Sequence, residues 1–121
     1  MARRDITGAV DFAHLETYAA GDAGVVEEVL ALFREQAALW IRLLDPASEG
    51  WRDAAHTLKG SALGVGAFAL AEACSAAEQA PADPIERAAK LEQVRDALDA
   101  ALADIAAYVH EQALKSLKSP S

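Results

Sequence analysis

Aromatic side chains are scarce in this sequence, 6% of residues, although apolar residues as a whole reach 53%. A core drawn mainly from Ala, Leu and Val favours closely packed helices, since Ala and Leu are good helix formers and strands are enriched in aromatic and β-branched residues. Cysteine is nearly missing. Cys74 stands alone, which excludes an internal disulfide framework and suits a reducing compartment. With Ala73, Ala76 and Ala77 as neighbours, its thiol is expected to be buried and inert. No stretch of about 18 apolar residues escapes interruption by charge, and Arg3, Arg4 and Asp5 have no apolar run behind them. The expectation is therefore a cytoplasmic chain without a membrane span or secretory signal. Positive charge is in deficit too, 11 Lys and Arg against 19 Asp and Glu, for a formal net charge of −8. Binding to nucleic acid or to an anionic membrane begins with an electrostatic gain that such a chain lacks. Nor is there a GxGxxG or Walker loop for nucleotide, a GxSxG elbow or an HExxH metal pair.

What is present is helical periodicity over a length, 121 residues, suited to one compact core and too short for two ordinary domains. Asp11 is placed to cap a short helix to about Ala19, with Phe12 and Leu15, and Tyr18 as a third candidate, facing inward. Asp22 is placed to cap a long helix to about Leu44, where Val26, Val29, Phe33, Ala37, Trp40 and Leu44 recur at spacings of three and four. Asp45 and Pro46 stop it. Trp51, Ala55, Leu58 and Ala62 mark the apolar face of a third helix, which Gly64, Val65 and Gly66 weaken or bend. Leu70, Ala73, Cys74 and Ala77 line its successor, which Pro81 closes. Asp83, Pro84 and Glu86 combine a capping aspartate, a proline at the first helical position and a glutamate placed for a capping box. The last helix carries Leu91, Val94, Leu98, Ala101, Ile105 and Val109 inward, and residues 114–121 read as a frayed tail. Short connections between four substantial helices predict an all-α, antiparallel four-helix bundle with a short additional N-terminal helix, one domain over residues 1–121, and a monomer.

On a wheel of about 100° per residue with Trp51 at zero, the buried side of the third helix centres on Ala55, Leu58 and Ala62. Lys59, Arg52, Leu63 and His56 then fall near about 80°, 100°, 120° and 140°, and Gly60 near about 180°. His56 thus points away from the core with two cations and a leucine around it. Most solitary surface histidines do nothing. Here, however, neutral imidazole is a nucleophile near neutral pH, a lysine one turn on can offset the charge of an incoming phosphoryl group, and a glycine leaves the ring open to another macromolecule. His14, between Phe12 and Leu15, and His110, near the end of the last helix, are poorer candidates, and three histidines on separate segments make a weak case for zinc.

The run Ala55-His56-Thr57-Leu58-Lys59-Gly60-Ser61-Ala62, followed by Leu63-Gly64-Val65-Gly66 and then Leu70, resembles the histidine-containing phosphotransfer (HPt) domain family, most closely over about Trp51 to Glu78. The resemblance implies a four-helix bundle without kinase or ATPase activity of its own. In that family a histidine carries phosphate between aspartates of receiver domains, some fused to hybrid sensor kinases. By similarity His56 corresponds to the phosphorylated histidine, Lys59 to the nearby cation, Gly60 to the small residue that keeps the ring accessible and Gly66 to the glycine near the next turn. One departure is Ala77 before Glu78, where the family commonly has a larger apolar residue; it bears on packing and removes no active residue. The expected activity is a phosphorelay intermediate, with a docking face of Arg52, His56, Lys59, Gly60 and Leu63, no intrinsic cofactor or metal, and magnesium held by the receiver partner. The alternative is a helical docking module that regulates a kinase or receiver without carrying phosphate.

Overall fold

The computed structural model describes residues 8–118, which form five α-helices and, among the described residues, no strand. These are α1 (Phe12–Tyr18), α2 (Ala23–Trp40), α3 (Trp51–Val65), α4 (Phe68–Glu78) and α5 (Pro84–Lys118). Three start on the aspartates that the sequence marks. Asp11 Oδ1 accepts the His14 N–H at 3.1 Å, Asp22 Oδ1 accepts those of Gly24 and Val25 at 2.9 and 3.2 Å, and Asp83 Oδ1 accepts that of Ile85 at 3.0 Å. Each satisfies a donor that the helix itself leaves unpaired.

α2 is shorter than its apolar repeat. Its α-helical part ends at Trp40, and Ile41–Leu43 tighten into a 3-10 turn in which the Leu44 N–H bonds the Ile41 carbonyl at 3.2 Å. Leu44 still reaches the core, 1% exposed, because the tighter last turn swings it inward before Pro46 forbids further helix. At the other end of the chain α5 continues to Lys118, so residues 114–118 of the expected frayed tail are helical, with residues 114–117 exposed. Residues 119–121 of the expected tail, and Arg3, Arg4 and Asp5, lie outside the described residues.

α3 packs against α2 and α4, and α5 closes the ring by packing against the same two. The short connections make sequential neighbours antiparallel. Phe33, Leu58, Leu70, Leu91, Leu98 and Ile105 fill the centre, and the fully buried Ala54, Ala55, Ala62, Ala77 and Ala101 let the helix axes approach closely. Burying a leucine-sized side chain contributes about 1.5–3 kcal/mol, so this stripe of large residues outweighs the weak propensity of the shorter helices.

α1 is too short to stand alone, and long-range contacts hold it. Val10, Phe12 and Leu15 are buried, the Phe12 and Tyr108 rings stack at 4.1 Å, Tyr108 Oη donates to Glu16 at 2.6 Å, and the Val10 N–H donates to the buried Asp104 at 3.0 Å. Tyr18 does not join this inward face; it is 79% exposed. Ala19, one turn after Leu15, packs against the core instead, which turns Tyr18 outward at the end of α1. The turn from α3 into α4 completes the attachment. Gly66 adopts φ +87°, its N–H and that of Ala67 return to the Leu63 and Ala62 carbonyls, and the Asp11 N–H donates to the Gly66 carbonyl at 2.9 Å.

Candidate functional site

The Gly66–Ala67 turn sets the register of the α3–α4 hairpin. His56 lies ten residues before Gly66 and Glu78 twelve residues after it, about 15 and 18 Å along their helices at 1.5 Å per residue. Antiparallel packing therefore brings the end of α4 level with the second turn of α3. There the His56 side chain is 69% exposed and its Nδ1 lies 2.8 Å from Glu78 Oε2, while Lys59 Nζ lies 3.3 Å from Glu78 Oε1. One carboxylate holds both side chains.

Glu78 is the residue that the sequence reading passed over. It was visible only as a member of the motif's tail, since His56 and Lys59 are neighbours on one helix whereas Glu78 arrives on another. Counting outward from Gly66 would have found it. Burial pushes its carboxyl pKa up, but hydrogen bonds from His56 and Lys59, and then their charges, outweigh burial and leave it below the usual glutamate value. As the last residue of α4, it also sits at the negative end of a helix dipole, where cations are favoured and a carboxylate needs them.

Arg52 is part of the same arrangement. Its guanidinium donates to the Glu78 backbone carbonyl and lies over the Trp51 ring, 4.6 Å from the centroid. It therefore caps the end of α4 besides adding positive charge near His56. Gly60 faces open space: a methyl group built on it meets no atom within 4 Å. Leu63 is 47% exposed and lines two grooves, one of about 560 Å³ with Tyr18, Leu32 and Gln36, the other of about 400 Å³ with Lys59 and Phe68.

The other histidines lie apart. His14 packs edge-on to Phe68 at 5.3 Å, and His110 is exposed on α5. Among the described residues no three His, Cys, Asp or Glu side chains gather where they could hold a metal ion, and no helix is long and apolar enough to cross a membrane. Cys74 is fully buried behind the site, and burial, helped by the Glu78 charge and opposed by that of Lys59, pushes its thiol pKa up to about 12. That thiol is not a nucleophile at neutral pH.

An exposed imidazole with one nitrogen tied to a carboxylate, a lysine beside it and bare backbone below is suited to accept a group from a macromolecule at its free nitrogen. Comparison with known proteins agrees. Among curated proteins none matches the chain. The crystal structure of histidine phosphotransferase ShpA from Caulobacter crescentus superposes with a TM-score of 0.81 at 64% sequence identity, covering 91% of this chain and 99% of that one. Residues 25–111 match the Hpt domain, a span that contains α3, α4 and every residue of the His56 site, and the chain belongs to the Hpt domain family.

Proposed function

We propose that this histidine phosphotransfer protein carries its phosphoryl group on Nε2 of His56 and relays it between aspartates of receiver domains. The observation that carries the assignment is the 2.8 Å contact between Nδ1 of the exposed ring and Glu78. A carboxylate accepts only, so the neutral ring keeps its proton on Nδ1 and leaves the lone pair on Nε2. Nε2 then attacks the phosphorus of an aspartyl phosphate in line. Lys59, 30% exposed on the same face, offsets charge on the transferring group. Gly60 admits the partner's surface, Leu63 gives it an apolar contact, and Arg52 fixes the end of α4 that supplies Glu78. Magnesium belongs in this reading to the acidic pocket of the receiver, and the partners are receiver domains, free or attached to a hybrid sensor kinase.

A labelling experiment tests the assignment. With ATP alone the protein stays unlabelled. Given a receiver domain phosphorylated on aspartate, it acquires one acid-labile, alkali-stable phosphoryl group, and His56→Gln abolishes that label while leaving the helical content unchanged. Lys59→Ala slows labelling by about tenfold or more without abolishing it, because the lysine assists by charge whereas the histidine forms the bond. Undiminished labelling of the His56 variant would overturn the assignment.

A further inference from the structure

The last turn of α4 carries Glu78 to the exposed ring of His56, and the sequence gives that turn little means of closing on itself. A helix leaves its last four carbonyls without partners inside the helix. In α4 the Gln79 N–H returns to the Ser75 carbonyl at 3.2 Å and the Ala80 N–H to that of Ala77 at 3.1 Å. The next donor in line would be residue 81, which is proline. Proline has no N–H to offer, and it disfavours helical backbone at the Ala80 before it. Gln79, at φ −95°, makes no left-handed cap either. Among the described residues no backbone N–H bonds the Glu78 carbonyl. Its donor is the Arg52 guanidinium, which arrives from α3.

We propose, resting on the assignment of the phosphoryl group to His56, that Arg52 is a positioning residue for the transfer rather than a docking cation: it stands in for the donor that Pro81 lacks, holds the end of α4 closed and so keeps the Glu78 carboxylate on the ring. An exposed arginine free to swing would gain little from one carbonyl, because ordering its long side chain costs entropy. Here the guanidinium lies over the Trp51 ring, 4.6 Å from the centroid, which restricts the side chain and leaves its in-plane N–H groups free to donate. Trp51 is itself fixed. It is 7% exposed, and Arg87 of α5 lies over the same ring at 5.3 Å. Arg52 also stands one turn before His56 on the same helix, so α3 carries both the ring and the group that fixes the ring's partner. Glu78 is thereby held at both ends: Arg52 takes its backbone, while His56 and Lys59 take its carboxylate at 2.8 and 3.3 Å. A docking cation needs its donors turned towards the partner, whereas those of Arg52 are engaged within the molecule.

The test is transfer from a receiver domain phosphorylated on aspartate to the full-length chain, followed over receiver concentration for wild type, Arg52→Ala, and Arg52→Ala combined with Pro81→Ala. Arg52→Ala lowers the maximal rate by about 3- to 10-fold, the net worth of one hydrogen bond, and leaves the receiver concentration for half-maximal rate within about twofold of wild type. Alanine at position 81 returns an N–H to the turn and frees Ala80 for helix. The double variant therefore recovers part of the lost rate, although it is no more cationic than the single one. 15N NMR of the neutral ring reads the cause directly: the share of His56 with its proton on Nδ1 falls in Arg52→Ala and rises again in the double variant. A docking role predicts the opposite kinetics, a raised half-maximal concentration at unchanged maximal rate, and that pattern overturns the proposal. So does a double variant as slow as the single one, or an unchanged tautomer balance. An unchanged maximal rate with only a lower urea midpoint, the mark of a merely structural role, overturns it too. Absence of phosphate on wild-type His56 would instead overturn the assignment on which it rests.

Discussion

Glu78 ends a helix with a negative charge, next to carbonyls that already make that end negative. Its carboxyl is nevertheless more acidic than usual: burial works against ionisation, and the bonds from His56 and Lys59 win. A carboxyl whose folded pKa is depressed adds stability above its unfolded pKa and loses it as pH falls through the folded value. Wild type should therefore exceed Glu78→Gln in stability by less than about 1 kcal/mol at neutral pH, and urea denaturation at decreasing pH should show the difference vanish below the ordinary glutamate range. Cys74 has the opposite sign of shift. Its folded pKa of about 12 lies above the ordinary value of 9.0, so its contribution is intact below that value and is lost as pH rises from there towards about 12. At neutral pH iodoacetamide should leave native Cys74 unmodified and label it fully once the chain is unfolded, a contrast readable by mass spectrometry. The inert thiol was legible from its alanine neighbours and the His56–Lys59–Gly60 group from spacing on one helix. Glu78 was not, because its role depends on the α3–α4 register, which is a property of a turn.

Two residues with positive φ show how helix ends are made here, and they respond oppositely to substitution. α1 closes with the Gly21 N–H returning to Glu16 and that of Ala20 to Thr17, which places Ala20 at φ 55°. A side chain there is strained by about 1–2 kcal/mol, so Ala20→Gly should stabilise the protein by about 0.5–1 kcal/mol in chemical denaturation, after the entropy that glycine adds to the unfolded chain. Gly66 occupies the same conformation at the end of α3, and a Cβ there would meet the Asp11 carbonyl oxygen at 2.8 Å. Gly66→Ala should cost about 2 kcal/mol or more, and amide exchange should locate the damage in α1 and the α3–α4 turn. The caps at Asp11, Asp22 and Asp83 were legible because a cap is a local event. The 3-10 ending of α2 and the exposure of Tyr18 were not, since the first depends on a last turn that tightens and the second on Ala19 taking the inward position after Leu15. The ties from α1 to Asp104 and Tyr108 span more than ninety residues, and no local pattern announces them.

At the scale of the whole molecule the surface is acidic, with a net charge of −8, yet the face proposed to meet a receiver carries two of the chain's cations, Arg52 and Lys59. Glu78 engages both, so the local positive field is smaller than those two residues alone suggest. Salt should accordingly weaken receiver binding only mildly. Apolar contact has to supply much of the affinity, and Leu63 is its natural centre: 47% exposed, one turn past Lys59 and two past His56, with a groove on either side. Covering the exposed part of a leucine contributes about 1 kcal/mol at 25 cal/mol per Å², and replacing it by a carboxylate adds the cost of desolvating a charge opposite an acidic pocket. Leu63→Asp should therefore lower receiver affinity by about 10- to 100-fold in calorimetry, at unchanged magnesium and salt. Because the side chain is already half in water, its circular dichroism and denaturation midpoint should stay close to wild type. Gly60→Ala makes the complementary case, since alanine is the better helix former by about 1 kcal/mol and nothing stands in its way. That variant should be more stable than wild type and slower in transfer. Unaltered affinity in Leu63→Asp, together with unaltered transfer in Gly60→Ala, would mean that the receiver approaches His56 from another direction.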